Sequence, residues 1–406
     1  MSAVPEMSGT YTPVTPQLAG SLNDWTIFSL LVSRFSLTCP ELAKLTGLSK
    51  PTVYQSLSRL SAKGLVEHTG VRSGGVGPRS KIYGVVPGLS HAAGIYVTPQ
   101  IAKASISNVL GETIGGTSIP LSDRSAMSMI RAVREAFTGA LGEAGLEPQD
   151  INRTVIGVPG PVSRDGKKLL KTPALPDWEA DSTPNLMRKA LGTNFQYEND
   201  ANLAAIAEQQ DPAVASVENF ILLWVGEGVG CAIVTHGILN RGFHGLAGEI
   251  DNIVTSDGEA QRAKKFHTTV DSQSFVRLAT EFGVSSGNPL TTMSFACSLQ
   301  FGDRGVALVR AYAQRLAAGL ATLVSVVDPG LIVLSGELLA AGGHVLSSST
   351  ELALHRMAAD RPAVSVSISR FAGSSVIQGA VKAGLEGIRS DIRESFLVPA
   401  RSYLLT

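Results

Sequence analysis

Apolar residues first fall into register at Ile27, Phe28 and Leu31, the three- and four-residue spacing of one helix face within Leu22 to Phe35. Next comes Thr38-Cys39-Pro40-Glu41, a capping box in which Thr38 caps a helix start and Glu41 reaches back. Pro40 falls in the first turn, where its missing N–H does no harm. This short helix shows Leu42 and Leu45 and is expected to stop at Gly47. Ser49 caps another helix, with Pro51 in its first turn. Val53, Leu57 and Leu60 make its apolar face, while Lys50, Thr52, Gln55 and Arg59 lie opposite, with Tyr54 and Ser58 alongside. Two short strands follow, near Leu65–His68 and Lys81–Val85, joined by the glycine-rich stretch Gly70–Arg79. Beyond Pro87 apolar strands alternate with helical stretches, an α/β pattern. Two strand–turn–strand units stand out, Gly94–Ile101 running to Val109–Glu112 and Ile221–Gly230 running to Ile233–Val234. Each opens a lobe, which predicts a duplicated two-lobed core with a cleft between.

The opening pattern is helix, tight turn with glycine, polar-faced helix, then a basic hairpin: a winged helix-turn-helix. Its chemistry suits double-stranded DNA. Lys50, Thr52 and Gln55 are candidates for base edges, because the N-terminal part of a recognition helix enters the major groove. Ser49 stands at the same end. Arg59, further along, is expected on the DNA backbone, and Arg72, Arg79 and Lys81 on the wing are placed to meet phosphates or a narrow minor groove. A winged helix that only joins proteins is the alternative, and the basic wing argues against it.

Charge sharpens this reading. The 406 residues carry no net charge, yet Ser21–Gly88 holds eight basic residues against three acidic ones, and the rest of the chain is net acidic. A basic head on an acidic body points to an anionic partner for the head. Residues 1–20, rich in Pro, Thr and Ser and without Lys or Arg, read as a flexible tail rather than a signal peptide. No uncharged apolar run reaches the roughly 18 residues of a membrane span, so a cytoplasmic protein without membrane contact is expected. Cys39, Cys231 and Cys297 are far apart, fall in apolar surroundings and have no metal-ligand spacing; they read as small buried hydrophobes.

Five segments carry a resemblance. Gly157-Val158-Pro159-Gly160-Pro161-Val162, Glu198-Asn199-Asp200-Ala201-Asn202, Val225–Gly230, Gly245-Leu246-Ala247-Gly248-Glu249-Ile250 and Asp328–Gly336, in this order and behind a winged helix, resemble the ROK family (repressor, open reading frame, kinase), repressor branch. The resemblance implies an α/β body of actin/hexokinase type, two-lobed and ATPase-like. Its domains would be a winged helix at 21–88, a first lobe at 89–200 with 385–406 returning to it, and a second lobe at 201–384 bearing the sugar site and the dimer surface. It also implies sugar ligands at Gly160, Asn199, Asp200, Glu249 and Asn252. In the family's kinases the residue matching Asp200 is the general base on a sugar hydroxyl. Read alone, Asn199-Asp200 is equally a helix N-cap, and both roles can hold at once.

Phosphoryl transfer requires backbone N–H groups around the phosphates. Where the family's kinases place Asp-x-Gly-Gly-Thr, this chain has Tyr96-Val97-Thr98-Pro99-Gln100, without the Asp or the glycines, and Pro99 has no N–H. The second loop keeps Gly226, Gly228 and Gly230 but puts Glu227 where Thr is usual. The family's zinc ligands are missing as well: the His position is Asn252, and Ile253–Phe282 holds no cysteine. The loop after Glu249 must then be held some other way or be mobile, with Asp257–Lys265 polar enough for disorder. A family Asn is Ala174 here, which implies a ligand other than the usual hexoses. The reading is a non-enzymatic regulator without cofactor or metal, binding DNA at a pseudo-palindromic site as a homodimer or tetramer and a sugar or sugar phosphate in its body. The helices Arg304–Val327 and Gly336–Met357 are candidates for the dimer surface. An active sugar kinase with a DNA-binding domain, and a constitutive DNA binder whose body only dimerises, remain the alternatives.

Overall fold

A computed structural model describes residues 15–72, 80–121, 123, 125–170, 174–175, 178, 180, 182–226, 228–256, 263–357, 362–371 and 373–397. The chain divides into two compact units. One is drawn from Met1–His91, Asn108–Glu112 and Leu385–Thr406, the other from Ala92–Ser107 and Thr113–Gly384.

The first unit opens with α1 (Pro16–Arg34), β1 (Ser36–Thr38), α2 (Cys39–Thr46), α3 (Lys50–Ala62), β2 (Val66–Arg72) and β3 (Ser80–Val85). The tail assigned to residues 1–20 is corrected here. Thr15 Oγ1 accepts from Leu18 N–H and Pro16 occupies the first turn, so a capped helix is already under way at residue 16. The remainder of that tail, 1–14, lies outside the described residues. The capping box forms as read, and α2 ends on Gly47 at φ 71°, a left-handed conformation that suits glycine. The β1 strand, three residues long, escaped the periodicity; it pairs with β3 in an antiparallel sheet of order β1-β3-β2. Ile27, Phe28, Leu31, Leu42, Val53, Leu57 and Leu60 are fully buried beneath it.

The second unit repeats one sheet order twice. After β4 (His91–Val97), β5 (Ile101–Asn108) and β6 (Thr113–Pro120) come α4 (Ala126–Ala144), β7 (Ile151–Val158), α5 (Thr183–Leu191) and β8 (Gln196–Asn199), giving the sheet β6-β5-β4-β7-β8. Next come α6 (Asp200–Glu208), α7 (Pro212–Ala215), β9 (Phe220–Val225), β10 (Val229–Thr235) and β11 (Ile238–Leu239). They are followed by β12 (Val254–Ser256), β13 (Ala263–Lys265), α8 (His267–Val270), α9 (Ser272–Glu281), α10 (Pro289–Cys297) and α11 (Gly302–Val327). The last elements are β14 (Leu331–Ser335), α12 (Glu337–Met357), β15 (Ser365–Ile368) and α13 (Ser375–Leu397), and the second sheet is β11-β10-β9-β14-β15. In both sheets the order is third, second, first, fourth, fifth, which is the predicted duplication. The unbroken apolar runs of β9 and β14 mark central strands covered on both faces. The two expected lobes, 89–200 and 201–384, thus fall almost wholly within one compact unit. Among the described residues no helix is long and apolar enough to cross a membrane. Cys39 and Cys231 are buried as expected, while Cys297 is only half-buried.

The C-terminal segment needs a correction. It was expected to return to the first lobe, and the first half of α13 does pack there, Val376 and Ala380 clustering with Val155, Leu203 and Ile206. From Leu385 onward, however, the described residues belong to the winged-helix unit. Phe396 is 6% exposed. Its ring centroid lies 6.2 Å from Trp25 and 6.3 Å from Phe28, and Lys63 Nζ sits 4.9 Å above it, so three aromatic rings and a cation close the underside of the unit. Phe396→Ala is expected to destabilise the winged-helix unit by about 3–5 kcal/mol, read as an earlier unfolding transition in Trp25 fluorescence. An unshifted transition would show that the last helix merely lies against the unit.

Candidate functional site

On the first unit, the recognition helix α3 is set by Ser49, whose Oγ accepts from Thr52 N–H and pairs with Thr52 Oγ at 2.8 Å. These two hydroxyls therefore serve the cap first. Lys50, Tyr54, Gln55 and Ser58 are exposed on the helix, and Lys81 is exposed on β3. Two of the predicted DNA contacts have carboxylate partners within the unit. Arg59 makes a fork to buried Asp24, Nε–Oδ2 2.9 Å and Nη2–Oδ1 2.6 Å, with a further bond to Ser56 Oγ. Its guanidinium ties α3 to α1. Arg72 bonds Glu41 Oε1, while Glu41 Oε2 accepts from both the N–H and the hydroxyl of Thr38. The capping carboxylate thus anchors the base of the wing, and the Thr38 N–H, aided by Arg72, holds it below the usual carboxylate range. Arg79 lies outside the described residues.

In the second unit the Asn199-Asp200 pair is built on the junction of β8 and α6. Asn199 Oδ1 accepts from Asn202 N–H at 3.1 Å, capping α6, while its Nδ2 donates to Gly160 O at 3.1 Å. The N-cap and the link to the Gly157–Val162 loop coexist, as the sequence allowed. Gly160 is at φ 132°, a region open to glycine. Gly157 and Gly245 are tighter still: a Cβ at Gly157 would lie 2.7 Å from Leu203 Cδ1, and one at Gly245 2.0 Å from Val162 O. Gly245 (φ 83°) therefore lets the Gly245–Ile250 loop lie directly on the Val162 backbone.

Asp200 is buried and its Oδ1 accepts from Ala201 N–H. Burial, with the Glu249 carboxylate adding to it, lifts Asp200 to about 7, and burial, with the Asp251 carboxylate adding to it, lifts Glu249 to about 7. The Glu249 carboxylate is among the charges that act on Asp200. Asn252 is exposed, and its amide donates to Asp251 Oδ1. The loop after Glu249 is tethered by protein contacts. His267 Nδ1 lies 2.7 Å from Asp251 O, Phe266 N–H bonds Ile253 O, and β12 pairs with β13. Residues 257–262 of the stretch expected to be disordered lie outside the described residues, and 263–265 form β13. Among the described residues no group of three or more His, Cys, Asp or Glu side chains is placed to hold a metal.

Beside this site is a polar pocket of about 180 Å³ lined by Ser163, Gln196, Glu198, Asn202, Arg241 and Gly245, among others. Glu198 receives Arg241 Nε at 2.6 Å, Asn202 Nδ2 at 2.9 Å and Asn199 N–H at 3.0 Å. The Asn202 Oδ1 acceptor is buried without a partner. Sequence reasoning quoted Glu198 and Asn202 as motif but gave them no role, and it missed Arg241; the signal was an acid inside the Asn-Asp motif with no named counter-ion.

The first hairpin is closed by its own side chain. Thr98 Oγ accepts from the N–H groups of Gln100 and Ile101, both at 3.2 Å, and Thr98 N–H bonds Ile101 O. Glu227, in the second loop, lies outside the described residues.

Neutralising the carboxyl pair has a defined pH signature. Both carboxyls have folded pKa values raised above their unfolded ones, so their charged forms oppose folding and the penalty grows as pH rises from about 4 through 7. Asp200→Asn is expected to raise the melting temperature at pH 8 and leave it nearly unchanged at pH 4.5. Equal shifts at both pH values would remove the coupling from the account.

The ROK family model matches residues 123–383, and a model described as "Sugar-specific transcriptional regulator TrmB" matches residues 21–87. A protein of Sinorhizobium fredii is 25% identical over 236 residues, 58% of this chain and 60% of that one. The xylose repressor of Staphylococcus xylosus is 22% identical over 301 residues, 71% of this chain and 74% of that one. The glucokinase of Thermotoga maritima is 31% identical over 99 residues, 24% and 31% of the two chains. The matched stretch thus spans less than two thirds of the Sinorhizobium and Thermotoga proteins. Among solved structures, a ROK family transcriptional regulator described as a homolog of E. coli MLC protein superposes with a TM-score of 0.67 at 18% identity, over 92% of this chain and 99% of that one. The ROK hexokinase of Thermus thermophilus gives 0.60 at 22% identity, over 74% and 99%. At these identities the superpositions speak for the fold, an actin/hexokinase-type α/β body, and with the family model covering most of that body the chain belongs to the ROK family.

Proposed function

We propose that this protein is a sugar-responsive DNA-binding transcriptional regulator, a repressor whose kinase-like body binds a sugar or sugar phosphate without phosphorylating it. The observation that carries the proposal is the closure of the first hairpin. A phosphate-binding turn keeps its N–H groups free for oxygen atoms of the nucleotide. Here those of Gln100 and Ile101 are taken by Thr98 Oγ, and Pro99 has none. The ligand side is better equipped. Asp200 and Glu249, each raised to about 7, are present in both protonated and ionised forms near pH 7 and so offer donors as well as acceptors to hydroxyls, and the unpartnered Asn202 acceptor suits a polyol.

On the DNA side, exposed Lys50 and Gln55 on α3 are the base-reading candidates and Lys81 a phosphate contact. Ser49 and Thr52 act through the cap that positions them. A homodimer would present two such helices to a pseudo-palindromic operator, and effector binding would shift the population between DNA-competent and incompetent states. The repressor names among the relatives favour repression as the sign of control.

Two experiments test this. Fluorescence anisotropy on DNA from the gene's own upstream region, at fixed salt, is expected to show tight binding that one sugar or sugar 6-phosphate releases. Lys81→Ala should weaken binding on all sequences and reduce the log-salt slope by about 1, whereas Gln55→Ala should lose about 1–3 kcal/mol of discrimination at one position. Release by no member of a broad sugar panel would favour the constitutive reading. In a coupled assay with ATP and the same panel, no turnover is expected; turnover abolished by Asp200→Ala would establish the kinase instead.

A further inference from the structure

The polar pocket of about 180 Å³ is built from the same three segments that carry the candidate sugar ligands. Val162 ends the loop that holds Gly160, Glu198 precedes Asn199 on β8, and Gly245 opens the loop that leads to Glu249; all three line the pocket. Hydrogen bonds join the two places. Asn199 N–H donates to Glu198 Oε1 at 3.0 Å, while the Asn199 amide holds Gly160 O at 3.1 Å. The pocket therefore adjoins the candidate ligands along shared backbone, yet its own polar groups have no role in the reading above beyond the Asn202 acceptor.

The charges of the lining cancel: Arg164 and Arg241 are matched by Asp165 and Glu198, so no net charge calls for an ionic occupant. Glu198 accepts from Arg241 Nε at 2.6 Å and from Asn202 Nδ2 at 2.9 Å, and among the described residues the Nη groups of Arg241 have no partner. Asn202 is 5% exposed, and its Oδ1 is buried without a partner, whereas buried polar atoms are ordinarily bonded. Gln196 is exposed at the mouth. A guanidinium, a carboxylate and two carboxamides around one small space set donors beside acceptors. That is the chemistry of neighbouring hydroxyls, each of which gives one hydrogen bond and takes others. A cavity of about 150 Å³ takes up benzene, so this pocket has room for about one six-membered ring.

We propose that this pocket is a second sugar-ring subsite, and that the effector is an uncharged disaccharide. One ring would occupy the Asn199–Asp200 site, and the next, joined through the glycosidic oxygen, would lie in the pocket with its hydroxyls on Gln196, Asn202 and Arg241. The inference rests on the sugar-responsive reading and narrows it, from any sugar or sugar phosphate to a two-ring molecule without a phosphate. A site built to bond hydroxyls discriminates strongly against a ligand that leaves its polar groups unpaired, so the second ring is the source of specificity.

Matched sugars are the probes: glucose with maltose and cellobiose, xylose with xylobiose, galactose with lactose and melibiose, and glucose 6-phosphate. Calorimetric titration of the intact chain is expected to find one disaccharide that binds about tenfold or more tighter than its component monosaccharide and than the phosphate. Gln196→Ala, at an exposed position, is expected to weaken that disaccharide about two- to tenfold and the monosaccharide far less, whereas Asp200→Asn should weaken both. A monosaccharide that binds as tightly as its disaccharides, and loses affinity in Asp200→Asn, would overturn the second subsite and leave the sugar reading standing. Equal losses for one and two rings in Gln196→Ala, or a preference for glucose 6-phosphate, would overturn it in the same way. Binding of no sugar in the panel would overturn it together with the reading on which it rests.

Discussion

The side-chain amide of Asn199 faces two ways, and the junction of β8, α6 and the Gly157–Val162 loop depends on it. Its oxygen caps α6 and its nitrogen fixes the carbonyl of Gly160, so a strand end, a helix start and a glycine loop share one side chain. Asp200 follows as the first helical residue, where the helix N-terminus favours an anion by ~0.3–2 kcal/mol. Burial wins nonetheless: lifting this carboxyl to about 7 reflects on the order of 4 kcal/mol. The Glu249 loop packs closely on backbone because Gly245 and Gly248 have no Cβ; at Gly248 one would sit 1.9 Å from Cys231 O. Backbone contact, more than side-chain packing, sets the shape of this half of the site.

The head is governed by a different economy of charge. It has a basic surplus, yet Arg59 and Arg72 are used internally, one as a strut from α3 to buried Asp24 and the other as a tie from the wing to the capping box. Among the described residues, Lys50 at the start of α3 and Lys81 on β3 are exposed. Exposed ion pairs contribute little to stability; a fork to a carboxylate that is 3% exposed is another matter, since its acid cannot be resolvated in place.

Much of this was legible in the sequence. Thr38-x-x-Glu41, Ser49 with Pro51 and the terminal Gly47 announced two helices because caps act within a turn, and the duplicated hairpins announced two sheets because strand periodicity is local. Asn199 caps α6 and holds the Gly160 loop, the two roles its motif allowed. What stayed hidden was long-range. Arg59 is 35 residues from its acid and Arg72 is 31 from its own, and spacing alone cannot pair charges that far apart. The tether from His267 to the Asp251 carbonyl was invisible because its acceptor is backbone. The start of α1 was missed because Pro16, Leu18 and Gly20 read as linker until the Thr15 cap is known.

One feature of the chain order bears on how the protein is made. The winged-helix unit is encoded first, but it includes residues from Leu385 onward, with Phe396 closing the ring cluster on Trp25 and Phe28. Domains ordinarily fold in the order of synthesis, N-terminal first. Here the head emerges from the ribosome some 300 residues before its last core side chain exists, so it waits, incomplete, while the whole body is translated. A nascent chain therefore carries α1 to β3 on an unfinished scaffold until Phe396 has been made.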